Sequence, residues 1–279
     1  MKWLWPCWLL LAPACVSPLS ALKQQRPVTA PQGTFVIQYA PVDDTAQTQL
    51  VNAIEKALPT VAQWGPLKAP ITIYLLPSHE DLESAVGRHG YDWLKAWARY
   101  GEIYLQSPRT WSTRATPDAE VIELLTHELT HCAMYQRIGT PETWAQKDVP
   151  LWFREGMATW TAGQAYRWPA LEELSHFLNE KRGDPIDSPE DLYQHESDIV
   201  YGAAHHAFSF LVMRYGTAKV QTLLDAMGRG LHFDAAFTEA TGVSAKSFTL
   251  EFERFVRWRA FRGSGKSIHR NDMLRPVGR

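Results

Sequence analysis

One short motif constrains the fold of this chain more than any other feature. His127-Glu128-Leu129-Thr130-His131 lies inside a run whose apolar residues recur at helical spacing. Residues four apart share one face of an α-helix, about 6 Å apart along its axis, so both imidazoles can reach one metal ion. Zinc binds histidine nitrogen at about 2.0–2.1 Å. The motif therefore predicts a helix that contributes two ligands to a zinc ion.

The glutamate inside the motif has a different predicted role. Glu128 is offset by one position from His127, so its carboxylate is expected beside the metal and not on it. From there it can act as general base for a zinc-activated water. A buried helix can also hold two hydrogen-bonded histidines for packing alone. The leucines around the motif favour the metal, because unpaired imidazoles are costly in apolar surroundings.

A catalytic zinc needs a third protein ligand and an open position for water. The metzincin pattern requires glycine and histidine where this chain has Met134 and Arg137, so that class is excluded. Glu155 is the single acid in the apolar and aromatic segment 151–160. A lone carboxylate in such surroundings is costly unless it binds a cation. We predict Glu155 as the third ligand, with an exposed ion pair to Arg154 as the alternative.

These two segments resemble the gluzincin (HExxH…E) zinc metallopeptidases. Segment 152–160, W-F-x-E-G-x-A-x-W, is similar to the W-L-x-E-G-x-A-x-Y helix of the aminopeptidase N family and its small bacterial relatives in the thermolysin-like superfamily. The resemblance covers about residues 70–215. It implies zinc on His127, His131 and Glu155, with Glu128 as base. The 23 residues between His131 and Glu155 exceed the family's spacing, and the G-x-M-E-N exopeptidase signature is absent.

Further site features follow from the resemblance. A tyrosine on a later helix is expected to stabilise the oxyanion, and Tyr201 is the candidate, with His205 one turn further on the same face. Packing is the alternative role for both. Glu123, one turn before His127, is either its hydrogen-bonding partner or a solvated acid. The strand before the zinc helix, 101–108 here, is expected to border the cleft and pair with an extended substrate, with an ordinary strand inside the sheet as the alternative.

The order of elements predicts an α+β fold: a small N-terminal mixed sheet with helices, the zinc helix, then an all-helical C-terminal part. Residues 22–33 are polar and contain prolines, which predicts a flexible lead-in. Strands are expected at 34–39, 70–77 and 101–108, and helices at 44–63, 78–87, 118–138, 150–163, 169–182, 198–215, 217–228, 232–241 and 245–261. We expect one domain over 34–262 (34–138 and 150–262), followed by a flexible basic tail over 263–279.

The N-terminal 21 residues have the basic start, apolar core and small-residue exit of a secretory signal peptide. Cys15 follows Ala14 directly, so a lipoprotein leader that ends there is the alternative. With Cys7 and Cys15 in the leader, Cys132 is left without a cysteine for a disulfide. We expect an extracytoplasmic protein, periplasmic or secreted, that touches a membrane only through a lipid anchor at Cys15.

The formal net charge of −2 gives no reason to expect nucleic acid as a partner. The sequence therefore predicts an exported zinc metallopeptidase that acts on peptides or proteins as an endopeptidase. Two alternatives remain at this stage: a zinc amidase that acts on a non-peptide amide, and an envelope binding protein with a structural zinc. A structural site would need a fourth protein ligand, such as His205 or His206.

Overall fold

The computed structural model describes residues 17–261. Cys15, most of the predicted leader and the predicted tail lie outside these residues. Between residues 17 and 261, no helix combines the length and the apolar character that a membrane crossing requires.

The N-terminal half contains one mixed sheet. Its strands are β1 (Gln24–Ala30), β2 (Gly33–Tyr39), β3 (Ile71–Leu76), β4 (Ala96–Ala98) and β5 (Glu102–Gln106). They are arranged in the order β1-β2-β3-β5-β4. The three central strands β2, β3 and β5 run parallel, while the outer strands β1 and β4 are antiparallel to their neighbours.

Two of these strands differ from the expectation. The lead-in predicted over 22–33 is wrong, because 24–30 forms the edge strand β1 and pairs with β2 in a hairpin. Val28 is the one buried residue of β1, so its alternation of apolar and polar residues is too weak to recognise. Pro27 is compatible with an edge strand, where a missing N–H costs no pairing. Strand β4 was missed because three residues show no period.

The helices are α1 (Asp44–Val61), α2 (His79–Val86), α3 (Asp118–Ile138), α4 (Leu151–Thr161), α5 (Leu171–Glu180), α6 (Ser197–Tyr215), α7 (Thr217–Gly228), α8 (Phe233–Thr241) and α9 (Ala245–Phe261). Each predicted helix is present with small shifts at its ends. Ser78 caps α2 as expected, since its hydroxyl accepts from the backbone N–H of Asp81. The α+β prediction is confirmed, with the sheet first and the helical part after it.

Helix α3 lies between the two halves of the molecule. Leu125 and Leu129 belong to the core under the sheet, which α1 shares. Met134 and Ile138 belong to the core of the helical half. A helix that is buried on both sides has no solvent-facing stripe, so its central residues are buried all round. The two histidines of α3 are therefore held in the interior, between sheet and helical part.

Helices α4 and α6 approach each other closely at Gly156. A Cβ at this position would lie 2.3 Å from the carbonyl oxygen of Ala204 and 2.7 Å from Cβ of Phe208. A glycine is needed here because it has no side chain to separate the two backbones. The contact places Glu155, the preceding residue, in the interior beside α3.

Candidate metal centre

Three side chains from α3 and α4 bring their ligand atoms together. The Nε2 atoms of His127 and His131 are 3.1 Å apart, and each lies 3.4 Å from Oε2 of Glu155. All three residues are buried, with at most 7% of their surface exposed. Within residues 17–261 they form the one group of three or more metal-binding side chains whose ligand atoms converge. Folding thus joins the two predicted histidines to the predicted glutamate.

The separations of these atoms fit a tetrahedral zinc ion. Ligand atoms about 2.0–2.1 Å from a tetrahedral centre are about 3.3–3.4 Å apart, close to the three separations observed. Hydrogen bonds between charged groups are shorter, about 2.7–2.9 Å, so the 3.4 Å contacts are too long to be good ones. Two imidazoles and one carboxylate are also the donors that catalytic zinc uses. The buried His-His-Glu group suits Zn²⁺.

The orientation of His127 is set by a residue that the sequence did not reveal. Its Nδ1 lies 3.0 Å from Oε1 of Gln164, a buried side chain just after α4. Because an amide oxygen only accepts, Nδ1 carries the proton and Nε2 presents its lone pair to the metal. Gln164 has no spacing relative to the motif that could have identified it.

The partner predicted for His127 is different from the one observed. Glu123 accepts hydrogen bonds from the Tyr166 hydroxyl and from Nε of Arg167. It is neither bonded to His127 nor a free solvated acid, so both interpretations of Glu123 are wrong. Its carboxylate lies one turn before the ligand but is directed to the segment after α4.

The two carboxylate oxygens of Glu155 face different partners: the two histidines on one side and Arg154 on the other. Its Oε1 lies 3.3 Å from Nε of Arg154, while Oε2 faces the two histidines. Burial alone would raise the pKa of Glu155, yet His131, His127 and Arg154 hold it well below the usual range. The carboxylate is therefore ionised, as a zinc ligand must be. The alternative of an exposed pair with Arg154 is wrong in one respect, because Glu155 is buried.

Glu128 points to the same cavity without joining the three ligand atoms. The backbone N–H of Ala98 donates a hydrogen bond to its carboxylate. Burial raises the pKa of Glu128 above its ordinary value. The residue is thus held in place by β4 and lies beside the ligands, where a proton acceptor would be needed.

The cleft-facing edge of the sheet is β4, which corrects the expectation that assigned it to 101–108. In the described sheet β5 is paired on both sides, with β3 and with β4. Lys95 and Arg99 exchange backbone hydrogen bonds with β5. Since such bonds alternate along an antiparallel pair, the backbone groups of Ala96 and Ala98 point away from β5 and toward the site.

Two cavities meet at the ligands. The smaller one, of about 90 Å³, is lined by the three ligands and Glu128 and also by Leu94, Ala96, Trp97, Ala98, Tyr135, Trp144, Arg154, Tyr193 and Tyr201. The larger one, of about 470 Å³, adjoins His127, Glu128 and Tyr201 and extends past Trp93, Trp168 and Asp198. Both cavities are lined by His127, Glu128 and Tyr201, so open space adjoins the ligand atoms and continues into the larger cavity.

Tyr201 lies in the wall between the two cavities. Its ring is 6.5 Å from the His127 ring and stacks on Trp168 at 5.2 Å. Its hydroxyl is 3.0 Å from that of Tyr193, which lies in an irregular segment where no sequence pattern identifies it. Burial raises the pKa of Tyr201 well above its ordinary value, so the hydroxyl keeps its proton and can donate.

The later histidines of α6 are directed elsewhere. Nδ1 of His205 contacts the hydroxyl of Thr159 at 3.3 Å, and Nε2 of His206 contacts the carbonyl of Pro169 at 2.9 Å. Neither joins the group of converging ligand atoms found within residues 17–261. They do not supply the fourth ligand that a closed structural zinc site would need.

No protein-family model matches the sequence, and no curated protein matches it. Solved structures with a similar chain path include M1 zinc metallopeptidases. A two-domain M1 zinc metallopeptidase mutant bound to L-arginine is 13% identical, with a TM-score of 0.44 over 84% of this chain and 51% of that chain. An M1 zinc metallopeptidase from Deinococcus radiodurans is 14% identical, with a TM-score of 0.43 over 84% of this chain and 51% of that chain. A mutant M1 zinc metallopeptidase from the same organism is 14% identical, with a TM-score of 0.42 over 92% of this chain and 54% of that chain. The chain spans about half the length of these proteins.

Proposed function

We propose that the protein is a zinc-dependent peptidase. The observation that carries this proposal is the triangle of two Nε2 atoms and one Oε2 atom beside a fourth, unligated carboxylate, Glu128, in a cavity open to substrate. A purely structural zinc would be closed by a fourth protein ligand and would have no use for Glu128. A site with three protein ligands leaves a position for water and substrate.

The residues of the site have separate tasks in peptide hydrolysis. When bound, zinc supplies the Lewis acidity that activates water and polarises the scissile carbonyl. Glu128 accepts the proton of the attacking water and delivers it to the leaving nitrogen. Gln164 keeps His127 in the tautomer that binds metal. The Tyr201 hydroxyl donates to the oxygen that becomes negative in the transition state.

The edge of β4 offers a place for the substrate backbone. The outward N–H of Ala98 is taken by Glu128, and the N–H and C=O of Ala96 point the same way. An extended peptide that pairs with Ala96 would cross the site with chain on either side. Since the small cavity at the ligands adjoins a larger one, a substrate chain has room to continue past the site, and we propose an endopeptidase.

Digestion of a peptide library, with the products identified by mass spectrometry, tests the proposal. We expect internal cleavages that stop on chelation and return with added zinc. A chain that binds stoichiometric zinc and cleaves only non-peptide amides would be an amidase instead. Zinc binding without hydrolysis of either substrate class would contradict the enzyme proposal.

Replacing Tyr201 with phenylalanine should lower kcat by about 10²–10³ with KM little changed, because the lost hydrogen bond forms mainly in the transition state. Zinc content, measured by mass spectrometry, should stay the same. Tyr215→Phe, at the far end of α6, is the matched control and should keep full activity. A change in KM alone would make Tyr201 a pocket residue, and Tyr193 would then be tested next.

We also propose that the protein is exported from the cytoplasm. The leader-like segment at the start of the sequence supports an extracytoplasmic location, with lipidation at Cys15 as its alternative form. N-terminal sequencing of material from the cell envelope should find a mature protein that begins at or near Cys15 or Ala21. An intact Met1 on exported protein would contradict this expectation, and incorporation of a labelled fatty acid would identify the lipidated form.

A further inference from the structure

Arg154 has a position that the peptidase mechanism does not use. It precedes the metal ligand Glu155 on α4 and lines the small cavity together with the three ligands. About a third of its side chain is exposed, while its Nε is buried against Glu155. A cation so close to the ligands either pairs with Glu155 alone or contacts the substrate as well.

The hydrogen-bonding capacity of Arg154 is largely unused. A guanidinium has five N–H donors in a planar fork. In the part of the chain that the structure describes, its polar contact is the 3.3 Å ion pair from Nε to Glu155, and the buried Nε makes no hydrogen bond. No hydrogen bond or ion pair joins its two Nη groups to a described residue, so these donors remain available to an acceptor from outside the chain.

The charge of the small cavity also favours an anion there. Its lining contains two acids, Glu128 and Glu155. When Glu155 binds zinc, its negative charge is shared with the metal and compensates Arg154 less. Three tyrosines, Tyr135, Tyr193 and Tyr201, also line the cavity and carry no charge near neutral pH. With zinc bound, the positive charges of the metal and of Arg154 together exceed the negative charges of the two acids, which leaves the cavity suited to an anion.

We propose that Arg154 binds a carboxylate of the substrate in the small cavity, so that peptides with an acidic group next to the scissile bond are preferred. The planar fork of arginine matches a carboxylate with two parallel hydrogen bonds. Arg154 lines the same cavity as the three ligands, so a carboxylate bound to it would lie next to the reacting bond. The inference rests on the proposed peptidase function and names its substrate class.

The carboxylate has two sources in a peptide. It is either the side chain of an Asp or Glu beside the scissile bond or the free C-terminus of a short product. Three pairs of versions of one cleaved peptide separate them: Glu or Gln at the position before the bond, Glu or Gln at the position after it, and a free acid or an amide at the C-terminus. We expect kcat/KM to be about 10–100-fold higher for one acidic version than for its neutral counterpart.

Substitutions of Arg154 test whether the preference for acidic peptides depends on its side chain. Arg154→Gln should lower the ratio of acidic to neutral substrate to about one, while Arg154→Lys keeps the charge and should retain part of it. Arg254→Gln, on the exposed face of α9, is the matched control and should keep the wild-type ratio. Calorimetry on zinc-loaded Glu128→Gln gives a readout without turnover, in which the acidic peptide should bind about 10-fold tighter than the neutral one.

Three outcomes would overturn the inference while the peptidase function stands. One is a wild-type enzyme that cleaves acidic and neutral versions equally. Another is equal binding of both versions in the calorimetric comparison, which needs no Arg154 variant to fold. The third is an Arg154→Gln enzyme that keeps the wild-type ratio of acidic to neutral substrate, since Arg154 would then only position Glu155. A wild-type protein that cleaves no peptide would instead contradict the proposed function itself.

Discussion

Replacing Glu128 with glutamine is expected to lower kcat by about 10²–10⁴ and to leave one zinc ion per chain. Glutamine has nearly the same size, and its amide oxygen can still accept the hydrogen bond from the Ala98 N–H. What it lacks is a basic oxygen, so it can neither take a proton from water nor return one to the leaving nitrogen. The three ligand atoms are unchanged, because the Glu128 carboxylate is not among them.

Two measurements on one preparation check this prediction. Elemental analysis gives the zinc content, and turnover of a verified peptide gives kcat. Glu239→Gln, an exposed acid on α8 that pairs with Arg229, removes the same charge far from the site and should change neither value. Loss of zinc in Glu128→Gln would make Glu128 a ligand, and full activity would require abandoning the glutamate-base mechanism.

The parts of the site that follow from local sequence could be predicted. His127 and His131 are one helical turn apart, so their common face depends only on helix geometry. Glu155 could be predicted because a lone acid in a buried aromatic segment needs a cation. The folded chain places these three ligand atoms within 3.4 Å of one another.

Other parts depend on contacts that no local pattern encodes. Gln164 faces His127 only because the chain turns back after α4, 37 positions along the sequence from its partner. Tyr193 belongs to a segment without regular structure, and its hydroxyl meets that of Tyr201 through tertiary folding. Strand β4 is too short to show a period, yet it supplies the cleft edge and the N–H that holds Glu128.

The fold class was easier to predict than the positions of the sheet edges, because buried strands and edge strands differ in side-chain pattern. The buried strands β3 and β5 have four or more buried residues each, and their apolar runs are evident in the sequence. The outer strands β1 and β4 are held mainly by backbone hydrogen bonds to a neighbour. Backbone pairing leaves little trace in side-chain pattern, so the edges of the sheet could not be located from sequence.

Glu155→Ala is expected to abolish stoichiometric zinc binding and to lower the thermal stability of the protein. The variant removes one of the three ligand atoms and leaves Arg154 without the carboxylate that faces its Nε. Because metal binds only the folded site, its binding free energy adds to that of folding. Zinc present at about 1,000 times its Kd contributes about 4 kcal/mol, which shifts Tm by about 10 °C in a domain of this size.

Chelation separates the lost metal from the lost side chain. Chelator should lower the Tm of the wild type by about 10 °C and that of Glu155→Ala by almost nothing, because the variant has no bound zinc to lose. Glu173→Ala, in the first turn of α5, is a matched control that should keep both zinc and its response to chelator. Full zinc occupancy in Glu155→Ala would mean that another side chain completes the site. Asp198, the acid that lines the larger cavity beside His127 and Glu128, would then be the next residue to replace.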